Sequence, residues 1–289
     1  MITKTKKTMK KTKMLMLLAV ALLTACSSDI DEQKTKSEKS VQEVTLTFSP
    51  YQVEQMTRAA TSIAGIVTHL DVWLYESGSE ALAIHQSSDD AEFGTVTATL
   101  DKTKTYTIYA IAHKASGDAT LSDGVISFPD DKTTHSMYFS TTFSPSTTTN
   151  LSCLMQRIVA QFRVETTDAV PADMKKIQIT INDVFDRWSI TTGGAQLANH
   201  THTINITSTA QDGTVALNVF AIVSETQTLH TVTVTGLDAD NGVVLSPRTF
   251  ADVPLRNGYR TTYRGSLRNE SVTGTFTVED WQEYDVVNF

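Results

Sequence analysis

His200 and His202 stand one residue apart, the spacing that lets two side chains share one face of a strand and supply half of a metal site. No third ligand follows in sequence, and the neighbours Ala198, Asn199 and Thr201 read as a polar loop. Asp238-Ala239-Asp240-Asn241-Gly242 imitates the opening of a calcium loop, but Thr249 stands where the bidentate acid belongs, so a turn is expected. Asp89 and Asp90 are adjacent, and on an extended chain adjacent carboxylates point to opposite sides, which leaves them solvated and not paired. Cys153 lies between Ser152 and Leu154 with no histidine or cation beside it, as expected of a buried, inert thiol. Trp73, Tyr75 and Tyr109 are the aromatic set that a sugar-stacking platform uses, and the packed face of a sandwich uses the same set; packing is the preferred reading. The chain has no Gly-x-Ser-x-Gly elbow, no His-Glu-x-x-His helix, no Gly-rich phosphate loop and no Cys pair. No catalytic, cofactor-binding or metal-binding residue is expected, and the chain reads as a non-enzyme.

The residue with the clearest chemistry is Cys26. Ahead of it lie Lys4, Lys6, Lys7, Lys10, Lys11 and Lys13, then the apolar run Met14 to Leu23, then Thr24 and Ala25. That order is a secretory signal, and the apolar run is well short of the ~20 residues a spanning helix needs. Leu22-Leu23-Thr24-Ala25-Cys26 resembles the lipobox of bacterial lipoproteins. The resemblance implies removal of residues 1–25 and acylation of the Cys26 thiol, so that the mature chain is tethered to a membrane and does not span it; an ordinary thiol near a signal-peptidase site is the alternative. Ser27-Ser28-Asp29-Ile30-Asp31-Glu32 follows, either a surface-export signal like that of some Gram-negative lipoproteins or a solvated linker.

The formal charge of −8 includes six lysines and no acid ahead of Cys26, so the chain from Cys26 onward carries −14. An acidic surface argues against nucleic acid as a partner, because phosphate binding needs clustered Lys and Arg. With Cys26 acylated, Cys153 has no partner for a disulfide within the chain.

These residues need strands to position them. Residues 26–42 are polar and charged, a disordered spacer that cannot offset its chain entropy by burial. Alternation at a period of two begins at Val44-Thr45-Leu46-Thr47-Phe48 and returns at Leu70 to Tyr75, Thr95 to Leu100, Tyr106 to Ala112, Ile158 to Val164, Ile177 to Ile181, Val215 to Val223, Val232 to Val234 and Thr275 to Val278. Asp123-Gly124 marks a tight turn, Gly193-Gly194 another, and Asn241-Gly242 a longer loop. The Ser- and Thr-rich run Thr141 to Asn150 reads as the connection between two domains, residues 43–150 and 151–289. No segment after Cys26 has helical periodicity over the ~10 to 12 residues that would separate a helix from a strand. A weak repeat pairs Leu70 to Leu74 and the strand ending at Ala112 with Ile177 to Ile181 and the strand ending at Val223. The expected fold is all-β, two β-sandwiches in tandem.

The lipobox at Cys26, the strand Val44 to Phe48, Met56-Thr57-Arg58-Ala59-Ala60 ahead of Leu70 to Tyr75, the entry Gln156-Arg157-Ile158-Val159-Ala160, and Pro254-Leu255-Arg256-Asn257-Gly258 before Trp281 together resemble the fimbrillin superfamily. The resemblance implies two transthyretin-like β-sandwich domains and a place in the type V pili of Gram-negative anaerobes. It implies delivery to the outer membrane by the lipid on Cys26, and partnership with other fimbrial subunits by strand exchange. It also implies proteolytic processing after Arg58, with Ala59 as the new terminus and the first strand released from the edge of its sandwich; an exposed loop cation is the alternative reading of Arg58. Only Gln282 to Phe289 follow Trp281, at most ~27 Å of extended chain, which fits an anchor or accessory subunit better than a polymerising stalk pilin. The competing function is a lipid-anchored glycan-binding surface protein, which should display a cluster of exposed aromatic side chains.

Overall fold

The computed structural model describes residues 40–51, 62–206, 213–269 and 274–280, all within one compact unit. Cys26, Arg58, Ala59, Trp281 and the tail after it lie outside the described residues.

The first half holds β1 (Val41–Pro50), β2 (His69–Glu76), β3 (Ser79–Ser87), β4 (Thr95–Asp101), β5 (Tyr106–His113), β6 (Thr120–Ser122), β7 (Val125–Ser127), β8 (Met137–Phe143) and β9 (Asn150–Arg157). Seven of them form one path in the order β3-β2-β5-β8-β9-β1-β4. The path folds over between β8 and β9, which pair only through Met137 with Arg157 and Tyr138 with Gln156. Two wings therefore face each other, and the inward positions of every strand meet between them: Val44, Leu46 and Phe48 of β1, Leu70, Val72 and Leu74 of β2, Val96, Ala98 and Leu100 of β4, and Cys153 and Met155 of β9. This is the alternation read in the sequence, turned into a packed core.

The second half repeats the plan with β10 (Val159–Thr166), β11 (Lys176–Phe185), β12 (Trp188–Ser189), β13 (Gly193–Gly194), β14 (Leu197–Asn205), β15 (Ala216–Ile222), β16 (Thr228–Leu237), β17 (Val243–Leu255), β18 (Tyr259–Gly265) and β19 (Thr275–Asp280). Its eight-stranded sheet runs β17-β16-β11-β15-β10-β18-β19, with β14 also on β11. It folds over where β11 meets β15 at the single pair Phe185 and Ile222. Strand β10 pairs antiparallel with β15 and parallel with β18, as β1 does with β4 and β9. Likewise β11 lies between β14 and β16, as β2 lies between β3 and β5. The molecule is all-β, two sandwiches of one topology in tandem.

The structure corrects several expectations. Val44 to Phe48 is not an edge strand: β1 is paired on both flanks, antiparallel to β4 and parallel to β9. The run Thr141 to Asn150 is not a connection between domains but the end of β8, a turn and the first residue of β9, whose Cys153 and Met155 belong to the first core. The first sheet thus continues past residue 150 to Arg157, and Ile158 alone separates it from β10. Ser/Thr-rich composition marks a solvated turn, and it marks a hairpin as readily as a linker. The repeat pairs β5 with β16, not with the strand ending at Val223, which is β15 and corresponds to β4. His200 and His202 lie on the strand β14, not in a loop.

Between the sandwiches lies a third apolar cluster and a small sheet shared by both. Strands β6 and β7 form a hairpin on the tight turn Asp123-Gly124, both at positive φ as an inward-twisting two-residue turn requires. Strand β7 then pairs with β12 of the second half, Ile126 with Trp188 and Val125 with Ser189, giving the order β13-β12-β7-β6. Behind it pack Trp73, Ile111, Ala119, Ile126, Phe128, Ile158, Val159, Trp188 and Ile222.

Candidate functional site

Strand β1 is the element whose position carries functional meaning. Its three inward side chains are buried against both wings, and its backbone is bonded along both sides, from Val41 against Asp101 to Thr47 against Thr95 on one flank and from Thr45 against Asn150 to Pro50 against Met155 on the other. Tyr51 continues the second row by donating its N–H to the Met155 carbonyl at 2.8 Å. Burial of Val44, Leu46 and Phe48 contributes about 1.5–3 kcal/mol each. A sandwich without β1 would present a slot with two unpaired strand edges, those of β4 and β9, above an open apolar core, and only another extended chain with alternate apolar residues satisfies all three surfaces at once. The residues between β1 and β2 include Arg58 and Ala59, so the proposed cut lies in the one covalent link from β1 onward to the rest of the sandwich.

Strand β19 is the opposite case. It pairs only with β18 and is exposed along its whole length, with Phe276 resting on Phe250 and Tyr263 at ring separations of 5.7 and 5.4 Å. Gly274 brings the backbone onto the Tyr263 ring, where a Cβ would come within 2.1 Å of the ring carbons. It has no counterpart in the first sandwich, and it lies outside the second core, so it adds an edge and does not close the sandwich.

The residues weighed for other chemistry fall as follows. Trp73 is buried in the cluster between the sandwiches, and Tyr75 and Tyr109 pack edge to face beside it at 5.5 Å, so the three form no sugar platform. Among the described large apolar side chains the exposed aromatic ones are Tyr51 and Phe276, one on each sandwich. Cys153 is fully buried, and burial pushes its thiol up to about 12, far from the thiolate a nucleophile needs. His200 and His202 do share a face of β14, with ring centres 6.2 Å apart. Burial, and then His200, holds His202 down to about 4, and the residue across from the pair is Thr133, whose Oγ1 lies 3.5 Å from His200 Nδ1. The Asp238 carboxylate accepts the N–H groups of Asp240 and Gly242 at 2.8 and 2.7 Å, which makes it the clasp of a turn. Asp90 clasps another by accepting the Ser87 N–H at 2.7 Å.

The arrangement is one of structural surfaces. The chain matches the model of the fimbrillin-A associated anchor proteins Mfa1 and Mfa2 over residues 31–287. It belongs to that family. Curated protein sequences returned no match. Among solved structures, a candidate adhesin from Bacteroides thetaiotaomicron is similar at a TM-score of 0.52 and 12% identity, covering 85% of this chain and 98% of that one. Candidate polysaccharide-binding proteins from the same organism are similar at 0.53 and 11%, covering 83% and 96%. The fimbrial anchor protein Mfa2 from Porphyromonas gingivalis is similar at 0.49 and 11%, covering 83% and 98%. The first two show a shared fold at little shared sequence. As a member of the anchor family the chain is a fimbrial subunit of the anchor or accessory kind, and its place is the cell-surface fimbrium.

Sequence reasoning missed the two-sided seat of β1, because its partners lie some fifty and a hundred residues away and alternation reports faces, not neighbours. It also missed the sheet shared by the two halves, whose strands are two or three residues long and carry no period.

Proposed function

We propose that this anchor-family protein holds a fimbria to the outer membrane through lipid on Cys26 and joins its neighbour by strand addition. The observation that carries the reading is β1: it is continuous with the segment bearing Cys26, and it is locked into the middle of the first sandwich, so a tether at Cys26 ends in a firmly seated strand. Among the described residues no helix is long and apolar enough to cross a membrane. Neighbouring subunits are the partners; the buried Trp73 and Trp188 and the separation of Tyr51 from Phe276 speak against glycan capture as the main role. The same locked β1 favours the uncut form, in which Arg58 stays joined to Ala59.

The test is fractionation of cells carrying Cys26→Ser. The variant accumulates as precursor or leaves the membrane fraction, and fimbriae are shed into the medium. A processed Cys26→Ser protein that stays in the outer membrane and still holds fimbriae overturns the reading.

A further inference from the structure

Asp71 is an anomaly in its strand. It sits between Leu70 and Val72, whose side chains enter the first core, and its own side chain turns to the opposite face and is fully buried there. One carboxylate oxygen, Oδ2, accepts the Ala119 N–H at 3.0 Å and faces His113 Nε2 at 2.9 Å. The other, Oδ1, lies 2.6 Å from His85 Nδ1. His113 is itself buried, and its Nδ1 accepts the Ala115 N–H at 3.1 Å, which leaves Nε2 to donate to Asp71 Oδ2. The ion-pair partners of Asp71 are these two histidines, with no Lys or Arg among them. A carboxylate removed from water therefore faces two imidazoles and one peptide N–H, with no ammonium or guanidinium among its described partners.

Next to it the chain holds a second acid. The Ala119 N–H bond to Asp71 fixes the segment after β5, and this brings the exposed Asp118 carboxylate to where its oxygen, the Asp71 carboxylate and a His85 nitrogen all lie within 4.8 Å of one another. Two carboxylates at that separation repel unless a positive charge stands between them.

We propose that Asp71, His85 and Asp118 bind a divalent transition-metal ion of the zinc class. One imidazole nitrogen and two carboxylate oxygens are a three-ligand set with room for a solvent molecule, whereas calcium takes six to eight oxygens. His113 and Ala119 act behind the ligands: by occupying Asp71 Oδ2 they leave Oδ1 turned toward His85. The ion joins β2, β3 and the segment that leads into β6, and so it fastens the edge of the cluster between the sandwiches.

Zinc titrated into the untagged full-length protein, followed by calorimetry and thermal unfolding, tests this. One ion binds per chain, and zinc at about a hundred times its Kd raises Tm by roughly 5–10 °C. Asp118→Asn weakens binding at least tenfold while its metal-free Tm does not fall below that of the parent, since Asp118 is exposed and its charge repels Asp71; His85→Ala abolishes binding. His200→Ala leaves the titration unchanged. Absence of a zinc-dependent shift in the parent, or a shift that Asp118→Asn leaves intact, overturns the proposal, and the Asp118 variant decides the matter even if His85→Ala fails to fold.

Discussion

His202, one of two histidines at a metal-site spacing, is a pH-dependent part of the packing. Burial, reinforced by His200, lowers its pKa from 6.5 to about 4, so the unfolded chain takes up a proton that the folded chain refuses. Its contribution is fully present above pH 6.5 and is lost as the pH falls from there toward 4. His135 works with the same sign: burial, then Arg157 and Lys114, holds it well below the ordinary imidazole range. Urea unfolding at pH 7 and at pH 4.5 should differ by at least ~2 kcal/mol, and His202→Gln should flatten part of that slope. An unaltered slope in His202→Gln would place the sensitivity elsewhere. The shared face of His200 and His202 was legible from their spacing, but the strand was not, because six of the nine residues of β14 are polar and its alternation is of exposure and not of hydropathy. Asp71 escaped notice for a related reason: an acid between Leu70 and Val72 reads as the solvent face of a strand until a second layer is known to cover that face.

At the level of elements, β1 governs. Leu46 is fully buried between the wings, and Leu46→Ala should destabilise the first sandwich by about 2–5 kcal/mol in denaturant unfolding, against a small effect for the exposed neighbour Thr47→Ala. Equal effects at the two positions would contradict the alternation that seats the strand. Most strands were readable, since each has one buried and one less buried face, and so were the turns at Asp123-Gly124 and Asp238 to Gly242. Which strands lie side by side was not readable. The parallel pairing of β1 with β9 joins Thr45 to Asn150, and local composition carries no trace of it.

The whole molecule is two copies of one sandwich clamped by a joint to which both contribute. Trp188 is the largest contribution from the second half: it pairs with Ile126 through its backbone and packs on Tyr138 at 5.4 Å. Trp188→Ala should remove about 3–5 kcal/mol from the joint and split a single unfolding transition into two, one for each sandwich, in calorimetry. One cooperative transition with unchanged width would show that the joint is incidental. The duplication was legible in outline from Leu70 to Leu74 and Ile177 to Ile181, which do correspond, and it misled where similar apolar runs, the ends of β5 and β15, proved to be different strands. The seat of β1 also bears on mechanics. If the proposed tether at Cys26 holds, a pull from the membrane would enter the described structure at β1 and run along a strand flanked by two rows of hydrogen bonds. Force applied that way loads both rows in shear, so they must rupture together and not one after another from a free end. A subunit tethered through such a strand would resist drag by the slowness of its unfolding, and its grip would outlast brief surges of flow.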